Sequence, residues 1–117
     1  MMMLSKLNIS LTKKNYLNIY YKLLVIRLFE EQSIKAYRFS KVGGFCHTYI
    51  GQESVAVGTF SILKKNDHII TGYRNHAHAI LSGLNAELLL AELYGKIIGC
   101  SKGKGGSMHF FNKNNNY

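Results

Sequence analysis

One stretch decides the predicted fold: HIITGYRNHAHAI, residues 68–80. Its first four residues predict a short buried strand, because isoleucine and threonine are typical of strands. Gly72 ends that strand, and Asn75 is a suitable N-cap for the helix that follows. A strand that leads directly into a helix is typical of α/β folds, whose ligands gather at the carboxyl ends of the strands. The stretch therefore predicts an α/β fold with a binding site at the strand-to-helix turn.

Helices are predicted on both sides of this stretch. The longest covers residues 15–39, where leucines and tyrosines recur at helical spacing. Residues 52–63 fit either a helix or a strand, and a helix is favoured because Glu53 near its start suits the helix dipole. A further helix is expected over 85–95, where Glu92 and Lys96 are spaced to pair across one helical turn. One strand cannot form a sheet by itself, so the sequence predicts the opening part of an α/β fold and the chain is expected to be a fragment.

The composition excludes several classes of protein. The 117 residues, 47% of them hydrophobic and 18% charged, suit one small globular domain and rule out a wholly disordered chain. No apolar stretch approaches the roughly 20 residues of a membrane span. The two cysteines, Cys46 and Cys100, are far apart and form neither a metal-binding motif nor a disulfide framework, which favours a reducing compartment.

The net charge of +9 leaves a small nucleic-acid-binding module as one hypothesis. Its best candidate site is the glycine-rich loop GCSKGKGGS, residues 99–107, but no aromatic residues alternate with the lysines there to stack on bases. The loop also fails the phosphate-loop pattern, because Gly105 follows Lys104 where that pattern requires serine or threonine. A flexible, solvated loop is the simpler interpretation.

A second candidate site lies at the turn after the predicted strand. Arg74 could give a charge-assisted hydrogen bond to a phosphate group, and Tyr73 could donate another. A surface arginine beside a packed tyrosine is the alternative interpretation. The five histidines, by contrast, show no spacing typical of a set of metal ligands.

Three segments occur in a fixed order and point to one family. They are GGFCHTYIGQESVAVG at 43–58, ITGYRNHAHAI at 70–80 and AELYGKIIGCSKGKGGSMHF at 91–110. With them, residues 18–111 resemble the N-terminal part of the alpha subunits of the pyruvate dehydrogenase (acetyl-transferring) decarboxylating component. An acetoin dehydrogenase alpha subunit is the nearer alternative to a pyruvate enzyme.

The resemblance implies a fold, cofactors and partners. The fold is a thiamine-diphosphate-binding one, three-layered with a mostly parallel sheet, and incomplete in this chain. The cofactors are thiamine diphosphate and magnesium, with the magnesium ligands beyond this chain. The partners are a beta subunit in an alpha2-beta2 tetramer and a lipoyl acyltransferase. The implied reaction is the oxidative decarboxylation of pyruvate, with transfer of the acetyl group that becomes acetyl-CoA.

The resemblance also assigns roles to individual residues. Tyr73 and Arg74 match the pair that contacts the diphosphate of the cofactor, in agreement with the strand-end argument. His47 matches a histidine on the substrate side of the site and is the catalytic candidate. The substrate-binding set comprises these three residues and Asn112, whose match is the weakest. His76 and His109 are expected to support the site without taking part in the chemistry.

The two ends of the chain carry the remaining expectations. Residues 1–14 are predicted to be a basic lead-in, and 15–117 the N-terminal portion of a truncated thiamine-diphosphate-binding domain. The first acidic residue is Glu30, so a mitochondrial targeting leader is an alternative interpretation of the N-terminus. We expect a bacterial cytoplasmic protein, with the mitochondrial matrix as the alternative, and neither a membrane nor nucleic acid as partner. The isolated fragment is expected to be inactive.

Overall fold

The computed structural model describes residues 11–111 and 113–117, and only the backbone of Asn115. Its helices are, in chain order, α1 (Lys13–Arg38), α2 (Glu53–Phe60), α3 (His76–Leu81) and α4 (Ala86–Leu93), followed by a 3-10 turn at Lys113–Asn115. The helices predicted from the sequence are all present, with ends that differ by one to three residues.

Helix α1 is long and joins the core mainly through its second half. Thr12 caps its first turn: the Asn15 amide donates to Thr12 Oγ1 at 3.2 Å, and the Thr12 amide donates to Asn15 Oδ1 at 3.0 Å. The helix therefore begins at Lys13, two residues before the predicted start. Its fully buried side chains all lie in the second half; in the first half Ile19 and Leu23 are partly buried against the core, and the tyrosines are exposed.

Helix α3 lies at the centre of the packing. Ala77 and Ala79 are fully buried and belong to two different apolar clusters. One cluster joins α1 and α4 and contains Phe29, Leu89 and Leu93. Burial of each leucine stabilises the fold by roughly 1.5–3 kcal/mol. The other cluster, built on Ile26, Tyr49, Ala56, Val57 and Ala77, joins α1 to α2. The short α3 thus holds the two halves of the core together.

The predicted strand at residues 68–71 is wrong for the part of the chain that the structure describes. These residues form no strand, and neither does any other residue in 11–111 or 113–117. The Ile69 amide donates instead to the Asn116 carbonyl at 2.9 Å, and Ile70 is 97% exposed. A strand requires a neighbouring backbone with which to exchange a series of hydrogen bonds, and in the described residues the bond to Asn116 is not continued into such a series. The three-layer sheet therefore remains a prediction.

Two asparagines precede helices but act differently. Asn85 caps α4, since its Oδ1 accepts a hydrogen bond from the Glu87 amide at 2.7 Å. Asn75 occupies the N-cap position of α3 without a side-chain cap bond, and its Nδ2 donates to the Met108 carbonyl at 3.1 Å. Asn75 thus ties the start of α3 to the segment after the glycine-rich loop. Of the helices in the described ranges, none has both the length and the apolar content that a membrane crossing requires.

Candidate functional site

The turn before α3 places Arg74 against a second loop of the chain. One terminal guanidinium nitrogen of Arg74 donates to the carbonyl of Thr48, 26 residues earlier. No carboxylate in the described ranges forms an ion pair with Arg74. Its guanidinium carbon lies 5.8 Å from the centre of the Tyr73 ring, and that ring is 56% exposed. Arg74 is therefore a cation fixed at one point, with further donors accessible to a ligand.

His47 completes a compact surface group with these residues. Its imidazole packs edge-on against the Tyr73 ring, with centroids 4.7 Å apart, and Phe45 lies on its other side at 6.0 Å. Neither ring nitrogen of His47 has a hydrogen-bond partner among residues 11–111 and 113–117. We call Phe45, His47, Tyr73 and Arg74 the aromatic–arginine cluster. The structure thus brings together three of the four residues that the resemblance singled out.

The loop that carries His47 is held from beneath by buried groups. The His47 amide donates to Ser107 Oγ at 3.0 Å, and the Tyr49 amide donates to Glu30 Oε1 at 2.9 Å. Both acceptors are almost fully buried. The loop is therefore anchored through its backbone, and the His47 side chain is left for contacts on the surface.

The glycine-rich loop is wrapped around one buried carboxylate. Glu92 in α4 accepts hydrogen bonds from four backbone amides, those of Ser101 (2.7 Å), Gly103 (2.9 Å), Gly105 (2.6 Å) and Gly106 (3.3 Å). The predicted Glu92–Lys96 pair does not form, because the Glu92 side chain is fully buried and points to the loop. These charge-assisted bonds compensate for burying the carboxylate. The loop backbone is thus anchored to α4, contrary to the interpretation as a flexible loop, while its lysine side chains remain exposed.

Glycine is required in this loop by space as well as by backbone angle. A Cβ atom at Gly103 would lie 2.6 Å from the backbone of Gly95, and the φ angle of Gly103 is +75°. A Cβ atom at Gly99 would lie 2.6 Å from Cα of Glu92. The chain passes too close to α4 and its end for any side chain at these positions.

The remaining histidines separate into buried and exposed ones. His76 is fully buried, whereas His109 is exposed, with Nδ1 3.2 Å from the Gly105 carbonyl oxygen. His78 packs against Tyr49 and Phe60, and burial lowers the pKa of its imidazole. No three histidine, cysteine, aspartate or glutamate side chains in the described ranges come together as a metal site would require.

One ion pair fastens α2 beside the site. Arg27 Nε of α1 lies 2.6 Å from Glu53 Oε1, and Glu53 Oε2 accepts the Gly51 amide at 2.9 Å. The guanidinium holds the pKa of the Glu53 carboxyl below its ordinary value, and the carboxylate raises the pKa of Arg27. The pair therefore fixes the end of the His47 loop where it enters α2.

Comparison with known proteins identifies the family. The sequence model of the dehydrogenase E1 component matches residues 21–117. The chain belongs to the dehydrogenase E1 component family. The match covers almost the whole described range and includes every member of the aromatic–arginine cluster.

Several relatives of this E1 chain are named pyruvate dehydrogenase E1 component subunit alpha. That of Rickettsia prowazekii is 50% identical over 105 residues, which are 90% of this chain and 32% of the relative. That of Rhizobium meliloti is 48% identical over 106 residues, 91% of this chain and 30% of the relative. A chloroplastic subunit alpha-3 of Arabidopsis thaliana is 41% identical over 106 residues, which are 91% of this chain and 25% of the relative. The resemblance seen in the sequence is confirmed, and the chain spans between a quarter and a third of the length of these relatives.

Sequence reasoning missed three polar residues that build this part of the E1 chain. Glu30, Glu92 and Ser107 are buried and bind the backbone of the two loops. A signal for the acids was present: each occurs at helical spacing from buried apolar residues, so it lies on the face that a helix turns to the core. The fourth predicted site residue, Asn112, lies outside the described residues, and its role stays a prediction.

Proposed function

We propose that this chain forms part of the alpha subunit of a thiamine-diphosphate-dependent 2-oxo acid dehydrogenase. The proposed reaction is the oxidative decarboxylation of pyruvate, followed by transfer of the acetyl group to a lipoyl acyltransferase on the way to acetyl-CoA. Relatives named for pyruvate dehydrogenase support the substrate. The single observation that carries the proposal is the aromatic–arginine cluster, in which a histidine and an arginine from separate loops meet at one exposed place.

The arginine end of the cluster fits a diphosphate. Arg74 has five N–H donors, and its one hydrogen bond in the described ranges goes to the Thr48 carbonyl. Without a carboxylate partner, the guanidinium keeps its full charge available to phosphate oxygens. Tyr73 lies beside it with an exposed phenol. We therefore assign Tyr73 and Arg74 to the diphosphate of the cofactor.

The histidine end of the cluster fits the reacting part of the substrate. The His47 imidazole is half-buried against Tyr73, and both of its nitrogens are open for hydrogen bonding in the described structure. From there it can donate a hydrogen bond or a proton to an oxygen of pyruvate. Thiamine diphosphate, when bound, supplies the electron sink that allows carbon dioxide to leave. His47 is thus proposed as the catalytic residue, and Asn112 as a further residue of the substrate pocket.

Two parts of the proposed site, the magnesium ligands and the surface of the beta subunit, lie outside this chain. Magnesium prefers oxygen ligands, and we assign its ligands to residues beyond this chain. A beta subunit in an alpha2-beta2 tetramer is proposed to close the other side of the site. A three-layer fold with a mostly parallel sheet is proposed for the domain to which residues 15–117 contribute.

Substrate preference is the test of this function. We expect the subunit, assembled with its beta partner, thiamine diphosphate and magnesium, to release carbon dioxide from pyruvate and to act poorly on acetoin. Turnover of acetoin with none of pyruvate would reassign the chain to an acetoin dehydrogenase. A nucleic-acid-binding module would instead bind RNA with an affinity that falls steeply as salt rises, and thiamine diphosphate would have no effect.

A further inference from the structure

Five polar groups form one buried chain of hydrogen bonds beneath the aromatic–arginine cluster. The His47 amide reaches Ser107 Oγ at 3.0 Å, and that oxygen lies 2.8 Å from Nε2 of His76. Nδ1 of His76 lies 2.8 Å from Oε2 of Glu30, whose Oε1 accepts the Tyr49 amide at 2.9 Å. This series of hydrogen bonds begins at the His47 amide and ends at the Tyr49 amide, two residues later in the same loop. We call it the buried relay.

The direction of each hydrogen bond in the buried relay follows from the chemistry of its groups. Nδ1 of His76 faces a carboxylate oxygen, which accepts, so Nδ1 carries a hydrogen. Ser107 Oγ accepts the His47 amide, so its own hydrogen is free to point to Nε2 of His76. Nε2 also lies 3.1 Å from the Ser107 carbonyl oxygen, which can only accept, so Nε2 either accepts the Ser107 hydroxyl or donates to Ser107. In both cases Nδ1 carries a hydrogen and each of the five groups has a partner.

The order Ser107–His76–Glu30 looks like the triad of a hydrolase, but it cannot act as one. Ser107 is 2% exposed, and His76 and Glu30 are fully buried. A nucleophilic hydroxyl must reach substrate, and both the hydrogen and the acceptor capacity of Ser107 Oγ are already engaged within the protein. In a hydrolase such a trio activates the serine for attack. Here the two ends of the trio accept hydrogen bonds from the backbone amides of His47 and Tyr49.

These two ends determine the geometry of the site loop. The amides of His47 and Tyr49 are fixed by the buried relay, and the carbonyl of Thr48, between them, accepts the Arg74 guanidinium. Three successive residues are thus held by one donor or acceptor each. Phe45, nearby in the same loop, is 70% exposed and gives little packing to replace these bonds. The direction of the His47 imidazole therefore depends on the relay.

We propose that Ser107, His76 and Glu30 are positioning residues that set the His47 imidazole and the Thr48 carbonyl. Through that carbonyl they also set Arg74, so one buried network serves both ends of the cluster. The effect on turnover rests on the proposed function, whereas the effect on the loop does not. A displacement of about 1 Å at a reacting group lowers rates by as much as a hundredfold.

Hydrogen exchange at single amides tests the relay in the assembled enzyme. In Ser107→Ala the His47 amide loses its acceptor, so we expect it to exchange roughly tenfold faster, while the Tyr49 amide keeps Glu30 and its protection. Ser107→Thr restores the hydroxyl and should restore slow exchange at His47. The matched control is Ser101→Ala in the same loop, whose hydroxyl donates to the His109 carbonyl at 2.7 Å and lies outside the relay.

Two further readouts separate positioning from a general loss of stability. We expect Ser107→Ala to lower kcat roughly tenfold or more, with the affinity for thiamine diphosphate changed less than in a variant of Arg74. Nitrogen NMR of histidine-labelled enzyme should show an imidazole with a hydrogen on Nδ1, and His76→Gln should remove that signal. Faster exchange at His47 and Tyr49 alike, unchanged exchange at both, or a His76 imidazole without a hydrogen on Nδ1 would overturn the proposal. If the wild-type enzyme does not turn over pyruvate, the proposed function is refuted. The hydrogen-exchange result would then still test whether the buried relay holds the His47 loop.

Discussion

At the scale of single residues, charge inside the protein is the main organising force of the site. Glu30 and Glu92 are fully buried, and each is compensated by hydrogen bonds from the backbone or from His76. Arg74 is the opposite case, a surface cation that forms no ion pair with any carboxylate in the part of the chain that the structure describes. The buried charges shape loops, and the exposed charge remains available for a ligand.

Arg74→Ala should weaken cofactor binding in the assembled enzyme. Loss of one charge-assisted phosphate contact corresponds to about 1.5–3 kcal/mol, or roughly a ten- to hundredfold higher Kd for thiamine diphosphate. Calorimetric titration with cofactor and magnesium measures it. Arg38→Ala is the control, because Arg38 is also an exposed arginine but lies at the end of α1. Equal dissociation constants for both variants would contradict the assignment of Arg74.

His47→Ala should lower turnover and leave cofactor affinity nearly unchanged. The imidazole is proposed to act on the substrate, and a group that transfers or holds a proton contributes roughly a hundredfold or more to rate. Steady-state kinetics beside thermal melts give the answer. A variant that melts much earlier than the wild type would show that His47 is a structural residue instead.

At the scale of elements, the glycine-rich loop and α4 form one unit. The loop has no regular structure of its own in residues 99–106, yet four of its amides converge on Glu92. The loop should therefore unfold together with α4 and not before it.

Glu92→Gln tests that unit with a side chain of nearly equal size. The amide NH2 group of glutamine cannot accept the backbone donors, so at least one loop amide is left buried and unpaired, at a cost of roughly 1–3 kcal/mol in the free energy of unfolding. Denaturant unfolding measures the loss. Glu87→Gln in the exposed first turn of the same helix should change it by less than about 1 kcal/mol. Equal losses in the two variants would contradict the role of Glu92.

The contact between α3 and the site loop should make stability depend on pH. Burial lowers the pKa of His78, so the unfolded chain takes up a proton that the folded chain resists. The stability that this group contributes is therefore present above pH 6.5 and is lost as the pH falls toward the lower folded pKa. Melting temperatures between pH 5 and pH 7.5 should fall less steeply in His78→Gln than in the wild type. His68→Gln, at an exposed histidine, should leave the slope unchanged.

The sequence predicts these elements unevenly, for physical reasons. Helices follow from local periodicity, so α1 and α4 could be placed from the sequence. The segment 68–71 reads as a strand from composition alone, but a strand depends on a partner that local sequence does not contain. Likewise, His47 and Tyr73 are distant in sequence, so their contact could not be predicted from local spacing. Only the resemblance to the family indicated that both belong to one site. Ser107 gives no local signal at all, because its role depends on His76, 31 residues away.

At the scale of the whole molecule, the described part of the chain exposes a large amount of apolar surface. Many of the exposed side chains are large and apolar, including Leu17 and Tyr21 on α1, and Ile97 and Ile98 after α4. A surface of this kind is typical of a protein that is covered by other chain segments or subunits.

Residues 1–117 expressed alone should therefore self-associate or unfold partly, and should not decarboxylate pyruvate. Without a beta subunit or further segments of the alpha subunit, the exposed apolar side chains face water. Arg74 and Tyr73 without magnesium ligands are not expected to bind the diphosphate and its metal tightly. Analytical ultracentrifugation and near-UV circular dichroism test the first expectation, and a carbon dioxide assay with cofactor and magnesium tests the second. A compact monomer with a cooperative melt, or turnover that survives repurification, would contradict the respective part.

The carboxylate at the centre of the glycine-rich loop has one more consequence. Glycine-rich loops with lysines usually capture a free anion by pointing their amides at it, but here the Glu92 side chain already occupies that position. The Glu92 carboxylate thus takes the place that a bound anion would occupy among the loop amides. Inorganic phosphate and sulfate should therefore gain nothing from its amides. Lys102 and Lys104 are both exposed, so they should tolerate exchange for neutral residues far better than the glycines between and beside them.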